Sequence, residues 1–233
     1  MALTRVGLQK TTLLDFPGEV AATVFTPGCN LRCPYCHNPA LVQPPYPEDL
    51  ISLEELDRFL ALRSNVLGGV CVTGGEPLIH ENLNDLIDMI HRHGLKVKLD
   101  TNGTFPERLA RAEIDYIAMD LKTVPEKYDS LLGSLPAGQI STAAKLRASL
   151  KYLKTAGIPY EIRTTVVPGI VGVEELREIL PLLQGAGQYV LTPFRRGATL
   201  DPAYAEWPAP DHDQLHEMCA LATEAGLNCI LRS

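Results

Sequence analysis

The chain has 233 residues, 45% of them hydrophobic and 21% charged, and a mean hydropathy of +0.02, a make-up that suits a globular chain with a sizeable core. A formal net charge of −7 gives no footing for a nucleic-acid backbone or an anionic membrane as partner, and no apolar run approaches the ~20 residues of a membrane helix. The run Met1 to Lys10 has neither an apolar core nor a small-residue cleavage site, so a cytoplasmic location is expected, and with it reduced thiols.

Along the chain, short apolar and β-branched stretches alternate with amphipathic ones, the pattern of repeated βα units. Strands are expected at Ala21–Thr26, Val70–Thr73, Leu95–Asp100, Tyr116–Asp120, Tyr160–Val167 and Gln188–Pro193. Helical periodicity falls at Ser52–Arg63, Asn82–His93, Pro106–Ala112, Thr142–Ala156, Val173–Leu183 and Asp211–Ala225. Ser52 ahead of Glu54 and Glu55 reads as a helix cap followed by acidic residues, and Gly94 and Gly157 read as helix stops. A βα unit takes roughly 30 residues and a closed eight-unit barrel about 250. The expected fold is therefore α/β, a partial (βα)6 TIM-like barrel with parallel strands and an open side. It is expected to form a single domain over residues 1–233, with an N-terminal arm and a C-terminal tail. Within it, residues 19–40 hold a cysteine loop, and residues 197–210, which include Pro202, Pro208 and Pro210, form a long late loop that can border an active site.

Parallel barrels collect functional groups at the C-terminal ends of their strands. Here those ends read Cys29, then Thr73-Gly74-Gly75-Glu76-Pro77, Asp100-Thr101-Asn102-Gly103, Asp120-Leu121-Lys122, Val166-Val167-Pro168-Gly169 and Thr192-Pro193-Phe194-Arg195, with Arg163 carried on the fifth strand. Paired glycines admit a ligand close to the backbone, and Glu76 can orient an ammonium group, although Gly-Gly-Glu alone is an ordinary turn before a helix. An ion pair explains Asp100, Asp120 and Lys122 equally well.

Three of the six cysteines, Cys29, Cys33 and Cys36, fall within eight residues. Structural zinc and electron-transfer clusters are closed by four ligands, so a set of three leaves a vacancy for a substrate or cofactor. Cys33-Pro-Tyr-Cys36-His37 also fits the C-x-x-C-H haem attachment pattern, which requires export, and His37 or a remote cysteine would complete a zinc site. Cys71, Cys219 and Cys229 read as core residues, with Cys71 close to a strand end. His37 reads as a loop histidine, and His80, His91, His93, His212 and His216 as surface residues of helical segments.

The C-x3-C-x2-C loop, with Tyr35 before its last cysteine and Gly74-Gly75-Glu76 one βα unit later, resembles the radical S-adenosylmethionine (SAM) enzymes. The resemblance covers most of the chain. It implies a 4Fe-4S cluster on Cys29, Cys33 and Cys36, with SAM on the open iron. It also implies Tyr35, Cys36 and His37 near the adenine, and Gly74, Gly75 and Glu76 at the methionine amino group. Asp100, Thr101, Asp120 and Lys122 match segments that line the SAM site of glycyl-radical activating enzymes and hold a monovalent cation there. Arg163 joins these candidate contacts.

Within that superfamily, Leu13-Leu14-Asp15-Phe16-Pro17-Gly18, Phe25-Thr26-Pro27-Gly28-Cys29 and Cys36-His37-Asn38-Pro39 resemble anaerobic ribonucleoside-triphosphate reductase activating proteins, and also pyruvate formate-lyase activating enzymes. Asp15 corresponds to an Asp that meets the substrate peptide or simply forms a turn. Pro193-Phe194-Arg195 departs from the Pro-Tyr-His of the formate-lyase activators. Arg lacks an acceptor, so the histidine contact is not carried over, and the departure favours the reductase activator. The implied partners are a glycyl-radical enzyme and a flavodoxin or ferredoxin as reductant. The alternatives are a formate-lyase-type activator, a small-molecule radical SAM enzyme and a zinc-stabilised binding module.

Overall fold

A computed structural model describes residues 1–131 and 140–232. The chain forms β1 (Arg5–Thr12), β2 (Ala21–Thr26), β3 (Ile51–Ser52), α1 (Leu53–Arg63), β4 (Gly69–Gly74), α2 (Leu83–Arg92), β5 (Lys96–Thr101), α3 (Pro106–Leu109), β6 (Tyr116–Asp120), α4 (Tyr128–Leu131), α5 (Thr142–Thr155), β7 (Tyr160–Val166), α6 (Val173–Leu183), β8 (Gln188–Pro193), α7 (His212–Glu224) and β9 (Asn228–Leu231). Two compact units organise these elements. One comprises residues 1–30, 40–101 and 107–117, the other residues 31–39, 102–106 and 118–233, and β6 begins in the first and ends in the second.

In the first unit the strand order is β3-β1-β2-β4-β5, followed by the start of β6. β2, β4 and β5 run parallel, with Thr23 opposite Cys71 and Cys71 opposite Lys98. These strands are buried runs, as a parallel sheet covered on both faces requires, and Val24, Val70, Val72, Val97 and Leu99 have no exposed surface. Helix α1 starts on a capping box, with Glu55 N–H donating to Ser52 Oγ at 3.2 Å and Ser52 N–H to Glu55 Oε2 at 2.8 Å. Gly94 ends α2 at φ +73, a left-handed position that glycine adopts without steric cost.

In the second unit the order is β6-β7-β8-β9, with β7, β8 and β9 parallel. Glu161 on β7 is fully buried and takes both guanidinium nitrogens of Arg232 at 2.9 and 2.7 Å. This bidentate pair fastens the segment after β9 to the sheet.

β3 and β9 end the strand order, so the α/β sheet is not closed. All six expected strands are present, three of them with the expected limits, and α1, α2, α5, α6 and α7 lie where helical periodicity put them. Three strands were not expected: β1 in the N-terminal arm, the two-residue β3 just ahead of α1, and β9 in the C-terminal tail. β1 pairs antiparallel with β2 and β3, and only Val6 and Thr12 of its eight residues are buried, so it lacks the apolar signal of a core strand. β9 has four residues, none of them buried, too short and too exposed to announce itself. The expected helix at Pro106–Ala112 ends at Leu109 and closes in tight turns, with Arg111 N–H donating to the Arg108 carbonyl at 3.1 Å.

Candidate functional site

The first unit carries Cys29, Gly74, Gly75, Glu76, Asp100 and Thr101. β2 delivers the chain to Gly28 and Cys29, whose N–H groups donate to the Leu41 and Val42 carbonyls at 2.6 and 3.2 Å. The turn after β4 lies directly against that segment. Gly75 N–H donates to the Thr26 carbonyl and Glu76 N–H to the Gly28 carbonyl, both at 2.8 Å. A Cβ on Gly75 would overlap the Gly28 carbonyl oxygen and lie 2.6 Å from its carbon, and one on Gly74, at φ +115, would lie 2.6 Å from the Thr26 oxygen. Both glycines are therefore needed for the approach of two backbones.

Glu76 is 1% exposed, and its Oε1 accepts from Leu78 N–H at 3.1 Å and from Thr101 Oγ1 at 2.8 Å. The carboxylate thus caps the short 3-10 turn at Pro77–Ile79 and joins the ends of β4 and β5. Asp100 is ion paired with Lys98, whose ammonium also donates to Cys71 Sγ at 3.6 Å. His80, expected on the surface, is 2% exposed. Its ring Nε2 donates to the Pro27 carbonyl at 2.9 Å, two residues before Cys29. Burial holds the imidazole below its ordinary value of 6.5, and the opposing pull of the Pro27 carbonyl is the smaller effect.

The second unit carries Cys33, Tyr35, Cys36, His37, Asp120, Lys122 and Arg163. A tight turn in which Cys36 N–H donates to the Cys33 carbonyl at 3.1 Å sets the spacing of these two thiols. Cys33 is 7% exposed and Tyr35 5%, and the Tyr35 hydroxyl is buried with no hydrogen-bond partner among the described residues. Burial, and secondly the neighbouring Cys33, raise the Tyr35 phenol well above its ordinary value, so it is neutral.

The late loop fastens the cysteine segment: Leu200 N–H donates to the Cys36 carbonyl at 3.1 Å and Asp201 N–H to the Pro34 carbonyl at 2.9 Å. The ring of His37 stacks on Phe194, with centroids 5.4 Å apart, and its Nδ1 donates to the Ala198 carbonyl at 3.3 Å. Arg195, the residue that departs from the formate-lyase pattern, is exposed.

Asp120 ends β6 between two cations, accepting from Arg163 Nε at 2.8 Å and from Lys122 Nζ at 3.1 Å. Burial alone would raise its carboxyl, but Arg163 and then Lys122 outweigh burial and hold it well below the usual carboxylate range. For Lys122 burial is the largest single effect and pulls it down, but Asp120, Cys33, Tyr35 and Tyr128 together outweigh it and raise the ammonium well above its ordinary value. Tyr128, unremarked in the sequence, sets this segment by accepting from Lys122 N–H at 2.7 Å. Among the described residues no three His, Cys, Asp or Glu side chains gather as a single metal ion would require.

Known proteins resemble this chain in sequence and fold. A Methanocaldococcus jannaschii protein provisionally named a glycyl-radical enzyme activating enzyme is 26% identical over 232 residues, covering 97% of this chain and 95% of its own. A pyruvate formate-lyase-activating enzyme of Clostridium pasteurianum is 27% identical over 208 residues, 83% of each chain. Among solved structures, Streptococcus suis SuiB superimposes with a TM-score of 0.66 at 16% identity over 91% of this chain, which shows a shared fold. This chain spans about half of SuiB, 48% of its length. The Radical SAM superfamily profile matches residues 23–183, from β2 through α6, and the chain belongs to that superfamily.

Proposed function

We propose that this chain is the activating enzyme of a glycyl-radical enzyme. It generates a glycyl radical on an anaerobic ribonucleoside-triphosphate reductase, takes electrons from a flavodoxin or ferredoxin, and acts in the cytoplasm as a single radical SAM core domain. The observation that carries the reading is similarity to a protein named as such an activator over 97% of the chain. Asp15-Phe16-Pro17-Gly18 fits both kinds of activator, and Arg195 in place of a histidine turns the choice toward the reductase.

The superfamily's cofactors are a 4Fe-4S cluster and SAM, which on one-electron reduction supply methionine and a 5′-deoxyadenosyl radical. The residues present fit both groups. Three thiols stand on one short loop, which suits a cluster that takes each thiolate on a separate iron. The Gly74-Gly75 turn is drawn against the backbone that leads into Cys29, and the Tyr35 hydroxyl is a buried polar atom with no partner among the described residues.

In this reading Cys29, Cys33 and Cys36 hold the cluster as thiolates, and the burial of Cys33 limits water there. Gly74 and Gly75 present backbone to the methionine ammonium, with Glu76 fixed by Leu78 N–H and Thr101. Lys122 and Arg163, steered by Asp120, attract the methionine carboxylate. Asp100 maintains charge balance at the end of β5. Tyr35, Cys36 and His37 flank the adenine, with the His37 ring held by Phe194.

The test is anaerobic reconstitution with iron and sulfide, reduction and SAM addition. 5′-Deoxyadenosine is quantified and electron paramagnetic resonance is recorded with the candidate reductase. A partner-dependent glycyl doublet is the expected result, and formation of 5′-deoxyadenosine with no such signal would overturn the choice of partner. A second reading, a small-molecule radical SAM enzyme, is favoured by 33% identity over 135 residues, 46% of the chain, to a 7-carboxy-7-deazaguanine synthase of Methanopyrus kandleri. It requires brisk SAM turnover without a protein partner. A zinc-stabilised module would bind zinc and ignore SAM.

A further inference from the structure

A monovalent cation does not fit the carboxylates that the sequence resemblance marks for it, because the chain's own cations already stand there. In the first unit, Lys98 lies two residues before Asp100 on β5, so strand alternation places both side chains on one face. The ammonium is ion paired with Asp100 Oδ1 and reaches Cys71 Sγ on β4 at 3.6 Å. Only 2% of the Lys98 side chain and 13% of that of Asp100 are exposed. In the second unit, Asp120 gives one oxygen to Arg163 and the other to Lys122.

A buried ammonium is costly without a counter-charge, and a buried carboxylate equally so. The two groups offset each other at the end of β5, beside the Thr101 that holds Glu76. A sodium or potassium ion at Asp100 would have to displace an ammonium that carries the same charge and is tethered by its own strand.

We propose that Lys98 is a built-in substitute for the monovalent cation. Its ammonium supplies the positive charge at Asp100, so that SAM binding by this chain needs neither sodium nor potassium. The inference rests on Asp100 belonging to the SAM site. Lys98 is a positioning residue, acting through Asp100.

The experiment measures SAM affinity of the cluster-loaded enzyme by anaerobic equilibrium dialysis in potassium and in choline at equal ionic strength, for wild type and for Lys98→Met. Wild type should bind within about twofold in the two salts, whereas Lys98→Met should bind about tenfold more weakly in choline and recover in potassium. A second readout needs no cofactor: the melting midpoint of Lys98→Met should rise with potassium relative to choline, and that of wild type should not. Lys98→Arg keeps the charge and should stay indifferent to the salt, which covers a Lys98→Met chain that fails to fold. A wild type that loses about tenfold in affinity without potassium overturns the proposal. So does a folded Lys98→Met that matches wild type in choline or ignores potassium, or a Lys98→Arg that becomes potassium-dependent. Absence of SAM binding by wild type in either salt overturns the site reading and the proposal with it, and differs from a salt-dependent affinity.

Discussion

Replacing Gly75 by alanine tests whether the Gly-Gly-Glu turn is built against the cysteine loop. Gly75 is not among the positive-φ glycines, so the added methyl carries no backbone penalty and acts by sterics alone. It would overlap the Gly28 carbonyl oxygen and stand 2.6 Å from its carbon and 3.3 Å from Cys29 N. These are backbone atoms that cannot rotate away. Relief requires the turn and the end of β2 to separate, which stretches the bonds from Gly75 N–H to Thr26 and from Glu76 N–H to Gly28, both 2.8 Å. Overpacking costs about 1–3 kcal/mol and each lost hydrogen bond about 1 kcal/mol, which gives about 3–5 kcal/mol. For a chain of this size that lowers the melting midpoint by roughly 6–20 °C. Because Cys29 follows Gly28, iron bound per chain after reconstitution should fall as well. Gly94→Ala is the control. That glycine sits at φ +73 with nothing within 4 Å of an added Cβ, so it should cost only the left-handed backbone term of about 1–2 kcal/mol and leave iron content unchanged. A Gly75→Ala protein with the melting midpoint and iron content of the Gly94→Ala control would refute the reasoning.

Cys33→Ala should abolish cluster loading and SAM cleavage, measured as iron and 5′-deoxyadenosine, while Cys219→Ala should leave both intact. Asp120→Ala should retain the cluster yet weaken SAM binding by about tenfold or more in equilibrium dialysis, because Lys122 and Arg163 lose the carboxylate that steers them. Asp120 has a depressed folded pKa, so its contribution to stability is present above its unfolded value near 4 and fades as pH falls below it. Asp120→Asn should therefore flatten the acid limb of denaturant melts, by an amount reduced by the 30% exposure of the side chain. His80 is held neutral by burial, so the unfolded chain binds the extra proton and stability declines as pH falls below about 6.5. His80→Gln should lessen that slope in urea melts between about pH 7 and pH 5.

The parallel strands and their helices were legible because a strand buried on both faces is written as a run of apolar residues, and a covering helix as a 3.6-residue period. The cysteine motif was legible because its members are neighbours in the chain. Lys98 was not. A lysine alternating with Val97 and Leu99 looks like the wet side of a strand, and only Cys71, 27 residues away, and Asp100 at the next position on that face make it an interior group. The available signal was its place in a strand expected to be covered on both sides. His80 misled for a related reason: the segment around it suggests a helix surface, but the chain turns it beneath Pro27. β1 escaped because its antiparallel pairing depends on backbone bonds, which side-chain patterns record weakly.

The clasp between the late loop and the cysteine segment has a consequence for how the protein matures. Pro34 and Cys36 are held by the N–H groups of Asp201 and Leu200, so the segment that carries Cys36 gains its fixed setting only after the ribosome has made some 165 further residues. At about 5–20 residues per second this leaves the cysteine loop unclasped for roughly 8–33 s. Iron and sulfide delivered during that interval would meet mobile thiols, so cluster insertion belongs to the finished chain. By the same logic a single proteolytic nick within residues 197–210 should release iron although no cysteine is lost.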